Sequence, residues 1–179
     1  MERPSVVLLD RDGVINRMRP DYVKRWEELE LLPGAVEALA RLSRAGCEVV
    51  VLTNQSAIGR GLTTRKQVDE IHRRLSAVVA QAGGRIQAFL LCPHTPVDGC
   101  ACRKPAPGLL LRARDELGID LARAVLVGDQ LSDLEAARAA GCPAILVDPA
   151  GDRAAQAGLP RDAWVRSLPE AADLILGQP

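Results

Sequence analysis

The order of apolar segments predicts an α/β protein: a doubly wound, mostly parallel sheet of Rossmann-like form. Three observations lead there. Short β-branched runs alternate with amphipathic stretches of helical length. The runs are almost continuously apolar, as strands covered on both faces are. No repeat, low-complexity tract or long linker interrupts the alternation. At 179 residues and 47% hydrophobic, the chain suits one domain spanning 1–179. Aromatic residues make up only 2%, so the core must be aliphatic.

The first strand is expected at Val6–Leu9, a run that stops at Asp10-Arg11-Asp12-Gly13. An irregular stretch from Arg17 to Leu32 follows. The next helix is placed at Gly34–Ala45, with Val36, Leu39, Ala40 and Leu42 on one face, Pro33 before it and Gly46 after it. A second strand is expected at Glu48–Leu52. The helix Thr64–Ala82 is read from a stripe of Val68, Ile71, Leu75 and Val78. Further strands are expected at Ile86–Leu91, Ala124–Val127 and Ala144–Val147, with helices at Pro107–Leu117 and Leu131–Ala140, each stopped by a glycine. A weaker strand at Trp164–Val165 and a helix from Pro169 close the chain.

The 23 basic residues balance 23 acidic ones, which removes any general attraction for nucleic acid or anionic membrane. No apolar run reaches the roughly 18 residues of a membrane span, and none resembles a leader segment. A cytoplasmic, monomeric protein is expected. Of five cysteines, three crowd between Cys92 and Cys102, a pattern that in a reducing compartment points to metal rather than disulfides.

In sheets of this kind ligands bind beyond the carboxyl ends of the strands. Polar residues appear at four such ends: Asp10 and Asp12, two apart and so able to face one side; Thr53-Asn54-Gln55-Ser56; Arg103-Lys104-Pro105; and Gly128-Asp129-Gln130-Leu131-Ser132-Asp133. Taken singly, an acidic pair is most often a solvated turn, Asp129 or Ser132 a helix cap, and a Lys-Pro a surface element. All four at successive strand ends argue for one pocket. Carboxylates gathered there repel each other unless a cation joins them. Oxygen ligands at an open site favour Mg²⁺, and with Lys104 that ion would balance a phosphate dianion. The expected chemistry is phosphoryl transfer.

These residues also carry a resemblance. "DRDGVIN", "TNQ", "RKP" and "GDQLSD" resemble the four signature motifs of the haloacid dehalogenase superfamily of phosphatases. That resemblance implies Asp10 as nucleophile, forming an aspartyl phosphate, and Asp12 as general acid and then base. It implies Mg²⁺ held by Asp10, the Asp12 backbone carbonyl and Asp129, with Asp133 supporting that shell. Thr53 and Asn54 would bond the phosphoryl group, and Lys104 would pair with nucleophile and phosphate. Gln55 is placed among the substrate-binding residues.

The stretch "CPHTPVDGCACRKP" sets Cys92 and His94 two apart, and Cys100 and Cys102 likewise. Three thiolates and one imidazole make a closed tetrahedral site, so a structural Zn²⁺ is expected to pin the loop that bears Arg103 and Lys104. Cys47 and Cys142 read as core or helix-end residues, and His72 as a helix-surface residue. The segments between motifs leave no room for a cap domain.

The resemblance extends to the capless zinc-loop branch, whose substrates include D-glycero-D-manno-heptose 1,7-bisphosphate and histidinol phosphate. "DYVKRWEELELLPG", "TNQSAIGRG" and "CRKPAPGLLL" look nearest to the heptose side, which implies a sugar phosphate losing its 7-phosphate. Arg60 and Arg103 would clamp the second anionic end. Ala57, Gly59 and Gln130 depart from the usual residues. "TNQSAIGRG" also resembles polynucleotide 3′-phosphatases, but neutral charge and scarce aromatics argue against a nucleic-acid substrate.

Overall fold

The computed structural model describes residues 4–178. Six parallel strands form one sheet in the order β3-β2-β1-β4-β5-β6. They are β1 (Val6–Leu9), β2 (Glu48–Asn54), β3 (Ala88–Cys92), β4 (Ala124–Gly128), β5 (Ala144–Val147) and β6 (Trp164–Val165). The helices are α1 (Ala35–Arg44), α2 (Ser56–Gly59), α3 (Arg65–Gln81), α4 (Gly108–Leu117), α5 (Leu131–Ala140), α6 (Asp152–Gln156) and α7 (Leu168–Leu176).

Alternation along the strands divides the interior in two. Val7, Leu9, Val49, Val51, Val125 and Val127 face a core closed by α1, α3 and α7. Val6, Leu8, Val50, Leu52 and Leu126 face a second core closed by α4 and α5. Aliphatic side chains fill both, and the cysteines Cys47 and Cys142 are buried in one each. Strand β1 lies at the centre, between β2 and β4, where the strand order reverses. The crevice of a doubly wound sheet opens at that reversal.

The boundaries differ from expectation where polar residues meet the ladder. β2 continues through Thr53 and Asn54 because they pair with Leu91 and Cys92 of β3. β3 correspondingly starts two residues late, at Ala88, and includes Cys92. The short helices α2 and α6 carry no sequence periodicity and were not expected. Among the described residues no separate cap domain is inserted, and no helix is long and apolar enough to cross a membrane.

Segment 17–31 is an excursion pinned at its base. Arg17 N–H donates to Glu30 O at 2.7 Å, Leu32 N–H to Ile15 O at 3.0 Å, and Asn16 bridges Leu31. Thr63 Oγ1 donates to Lys24 O at 2.7 Å, tying the excursion to the turn after α2. Its residues Met18, Arg19, Tyr22 and Val23 line the crevice.

Candidate active site

The four polar strand ends meet in one cleft of about 300 Å³ above β1 and β4. Asp10 continues β1, its N–H donating to Val127 O of β4 at 2.9 Å. Asp129 follows β4, and Gly13 lets the two approach: its φ is +86°, and a Cβ there would collide with the Asp129 carboxylate. Oxygens of Asp10, Asp129 and Asp133 all lie within 4.8 Å of one another.

Lys104 reaches this cluster from the segment between β3 and α4. Its Nζ lies 3.2 Å from Asp10 Oδ1 and 2.6 Å from Asp133 Oδ1, and donates to Leu52 O at 2.8 Å. The lysine is buried, which disfavours its charge, but Asp10 and Asp133 outweigh that and raise its pKa. One lysine cannot balance three acids. Burial first, and then Asp133, Asp129 and Asp12, push Asp10 up to about 7 against the pull of Lys104. Burial likewise pushes Asp129 up to about 6, against a 2.6 Å hydrogen bond from Gln130 Nε2. Asp129 Oδ1 is buried and has no hydrogen-bond partner. An orphaned carboxylate oxygen among surplus acids fits a hard divalent cation.

Asp12 sits in the opposite electrostatic situation. Arg11 Nη2 donates to both of its oxygens at 3.1 and 3.0 Å, Asn16 Nδ2 to Oδ1 at 2.9 Å, and Gln55 Nε2 to Oδ2 at 2.7 Å. Burial raises its pKa, but Arg11 and these hydrogen bonds prevail and hold it below the ordinary carboxylate range.

The residues after β2 support neighbours. Thr53 is fully buried, its Oγ1 accepting from Gln55 Nε2 at 2.8 Å. Asn54 grips the backbone of Lys104 at both ends: Oδ1 accepts from Lys104 N at 3.2 Å, and Nδ2 donates to Lys104 O at 3.1 Å. Asn54 and Gln55 line the cleft together with Arg60 and Arg103. Arg60 is exposed, and Arg103 donates from Nη1 to His94 O at 3.3 Å.

The expectation for His72 is overturned. It is 4% exposed, stacked on Phe89 with ring centroids 4.2 Å apart, and its Nε2 lies 3.2 Å from Arg11 Nη1. The helical face is Val68, Ile71, His72, Leu75 and Val79, with Val78 only half-buried. His72 occupies an i+4 position of that stripe, so spacing alone was enough to find it. Residues Arg11, Asn16 and Arg153 were also missed; Arg153 lies 3.8 Å from Asp129 and 3.3 Å from Asp148.

Cys92, His94, Cys100 and Cys102 form a second cluster, all four ligand atoms within 4.8 Å of one another. The sulfur–sulfur edges Cys92–Cys100 and Cys100–Cys102 are 3.6 Å, too long for disulfides, and His94 Nδ1 lies 3.5 and 3.3 Å from Cys92 and Cys102 Sγ. Tetrahedral zinc bonds imply edges of about 3.8 Å between sulfurs and about 3.6 Å from sulfur to nitrogen. The donor set and its spacing fit that ion.

Comparison with known proteins agrees with this geometry. A family model for haloacid dehalogenase-like hydrolases matches residues 3–141. The chain is 48% identical over 143 residues to the D-glycero-beta-D-manno-heptose-1,7-bisphosphate 7-phosphatase of Pseudomonas aeruginosa, covering 80% of each. It is 45% identical over 175 residues to the Bordetella bronchiseptica enzyme of the same name, covering 96% of this chain and 98% of that one. A Mycobacterium tuberculosis relative, 43% identical over 151 residues and covering 79% of this chain and 78% of that one, bears the alpha-anomer name instead. The crystal structure of the B. bronchiseptica D,D-heptose 1,7-bisphosphate phosphatase, complexed with magnesium and phosphate, superposes with a TM-score of 0.90 at 41% identity over 97% of this chain and 98% of that one. With the family model spanning residues 3–141 and relatives 43–48% identical over most of its length, the chain belongs to the haloacid dehalogenase-like hydrolases.

Proposed function

We propose that this protein is a Mg²⁺-dependent phosphomonoesterase that removes the 7-phosphate of D-glycero-D-manno-heptose 1,7-bisphosphate through an aspartyl-phosphate intermediate. The observation that carries this reading is the cleft's two-ended charge. Asp10 and Lys104 are buried at its floor, while Arg60 and Arg103 line it nearer to solvent. A substrate with an anion at each end matches both.

Asp10, Asp129 and the Asp12 carbonyl would hold Mg²⁺, which when bound neutralises charge on the phosphoryl oxygens. Asp10 attacks phosphorus; the new Asp10–phosphorus bond forms as the bond to the sugar oxygen breaks. Asp12 gives a proton to that oxygen. A phosphate dianion beside Asp12 raises its proton affinity, which lets an acid held low in the open cleft carry the proton. Asp12 then takes a proton from water, which attacks the phosphoryl group and frees Asp10. Lys104 offsets the nucleophile and the phosphate, and Asp133 and Leu52 O fix its ammonium group. Cys92, His94, Cys100 and Cys102 would hold Zn²⁺ as a structural ion, which when bound would steady Arg103 and Lys104.

The test is a substrate panel with Mg²⁺: both anomers of the heptose bisphosphate, histidinol phosphate and a 3′-phosphorylated oligonucleotide. The bisphosphate should give the highest kcat/KM, and a preference for either other substrate would reject the assignment. Arg60→Ala should weaken the bisphosphate by about tenfold or more, the scale of one charge-assisted hydrogen bond, and leave a monophosphate nearly unchanged.

A further inference from the structure

We infer that His72, through Arg11, is a positioning residue for the acid–base group Asp12. This rests on Asp12 having that role. Arg11 separates the two aspartates in sequence yet does not line the cleft, and its side chain is fully buried behind Asp12 and Gln55. Among the described residues its one ion-pair partner is Asp12, at 3.0 Å. A buried guanidinium must place its N–H groups or lose several hydrogen bonds to water. Nη2 serves Asp12 and also Gln55 Oε1 at 3.2 Å; Nε has no partner; Nη1 is directed to His72 Nε2 at 3.2 Å.

That last contact needs a neutral imidazole with its proton on Nδ1, since Arg11 can only donate. Burial and then the charge of Arg11 push the His72 pKa down to about 3, so the ring stays an acceptor through neutral pH. The ring is fixed in turn. Helix α3 carries it, and Phe89 of β3 lies against it at an interplanar angle of 11°. A chain of contacts therefore runs from Phe89 to His72, Arg11 and Asp12. Removing the acceptor leaves Arg11 with a second unpartnered nitrogen, Nη1 beside Nε, in the interior. The guanidinium must then tilt toward other acceptors or water, and Asp12, held by it through both oxygens, follows.

The consequence is specific to proton transfer. An alkoxide leaving group needs its proton in the transition state, whereas p-nitrophenolate leaves with little help. In single-turnover measurements of leaving-group release, which precedes the water step common to both substrates, His72→Leu should lower the rate for the sugar phosphate about tenfold and that for p-nitrophenyl phosphate less than twofold. His72→Gln, whose Oε1 can accept from Arg11, should recover most of the loss. Equal effects on the two substrates, or no effect on either, would overturn the inference. Asp12→Asn is the control: it should show the same discrimination more strongly. If Asp12→Asn does not discriminate, the role assigned to Asp12 fails; if it does and His72→Leu does not, only the role of His72 fails. Thermal unfolding of each variant separates loss of fold from loss of position.

Discussion

The molecule holds two ligand clusters built on opposite physical plans. The carboxylate cluster is supplied by residues at the ends of β1 and β4 and the start of α5, all of them buried. The sheet fixes its geometry before any ligand arrives, and the cost appears as proton affinity: Asp10 at about 7 and Asp129 at about 6. The Cys/His cluster lies on a short loop, one ligand buried and three partly or fully exposed. Only Cys92 belongs to the sheet. A rigid frame under electrostatic stress favours catalysis, because charge neutralisation is then available to a substrate. A loop whose four donors converge at the margin of the core, with His94 exposed, is suited to an ion that ties them together.

The largest expected effect falls on the first cluster. Asp10→Asn should lower turnover by more than about 10³-fold while the thermal transition persists, as measured by steady-state kinetics and calorimetry. Substantial residual activity would remove Asp10 as nucleophile. Next comes the second cluster. Cys102→Ser should lose zinc by elemental analysis and reduce activity by roughly an order of magnitude through loosening of the loop, although no reacting atom is altered. Full activity with zinc retained would show that the loop does not depend on four donors.

Asn54→Ala sharpens the boundary between the clusters. It removes two hydrogen bonds to the Lys104 backbone, worth about 1 kcal/mol each, and should lower activity several-fold without releasing zinc. The smallest effect is a pH dependence. In the metal-free protein the folded Asp10 and Asp129 hold protons that the unfolded chain releases near 3.8. Between pH 4 and about 7 the unfolded state thus binds fewer protons, so stability should fall as pH rises through that window. Mg²⁺ should offset the stability lost by pH 7, and its affinity should weaken as pH drops below about 6. Thermal melts with and without Mg²⁺ across this range would reveal the opposite slope if the acids were already neutralised.

Much of this was visible in the sequence because the fold writes itself in apolar runs. Val6–Leu9 and Leu131–Ala140 fall where expected, since Asp10 stops the first abruptly and Gly141 ends the second. The end of β2 was misread because Thr53 and Asn54 look like loop residues, and only pairing with β3 makes them strand. The convergence of Asp10, Lys104 and Asp129 could be inferred from strand order. How Asp12 is supported could not: the helical stripe marks His72 as interior but not its partner, and composition places a charged residue such as Arg11 on the surface. Their partners lie 61 positions apart, beyond any local pattern.

The last residue of β2 anchors both ends of the metal-capable loop. Asn54 is in register with Cys92, where the loop leaves the sheet, and grips the Lys104 backbone, where it returns. The intervening stretch is therefore a ring closed by Asn54 and held also where Gln55 N–H donates to Cys92 O and Gly59 N–H to Pro93 O. Exposed residues between the four donors, Val97 among them, can be exchanged while the donors and Asn54 hold the ring, so the rim that meets incoming molecules can vary above an unchanged floor.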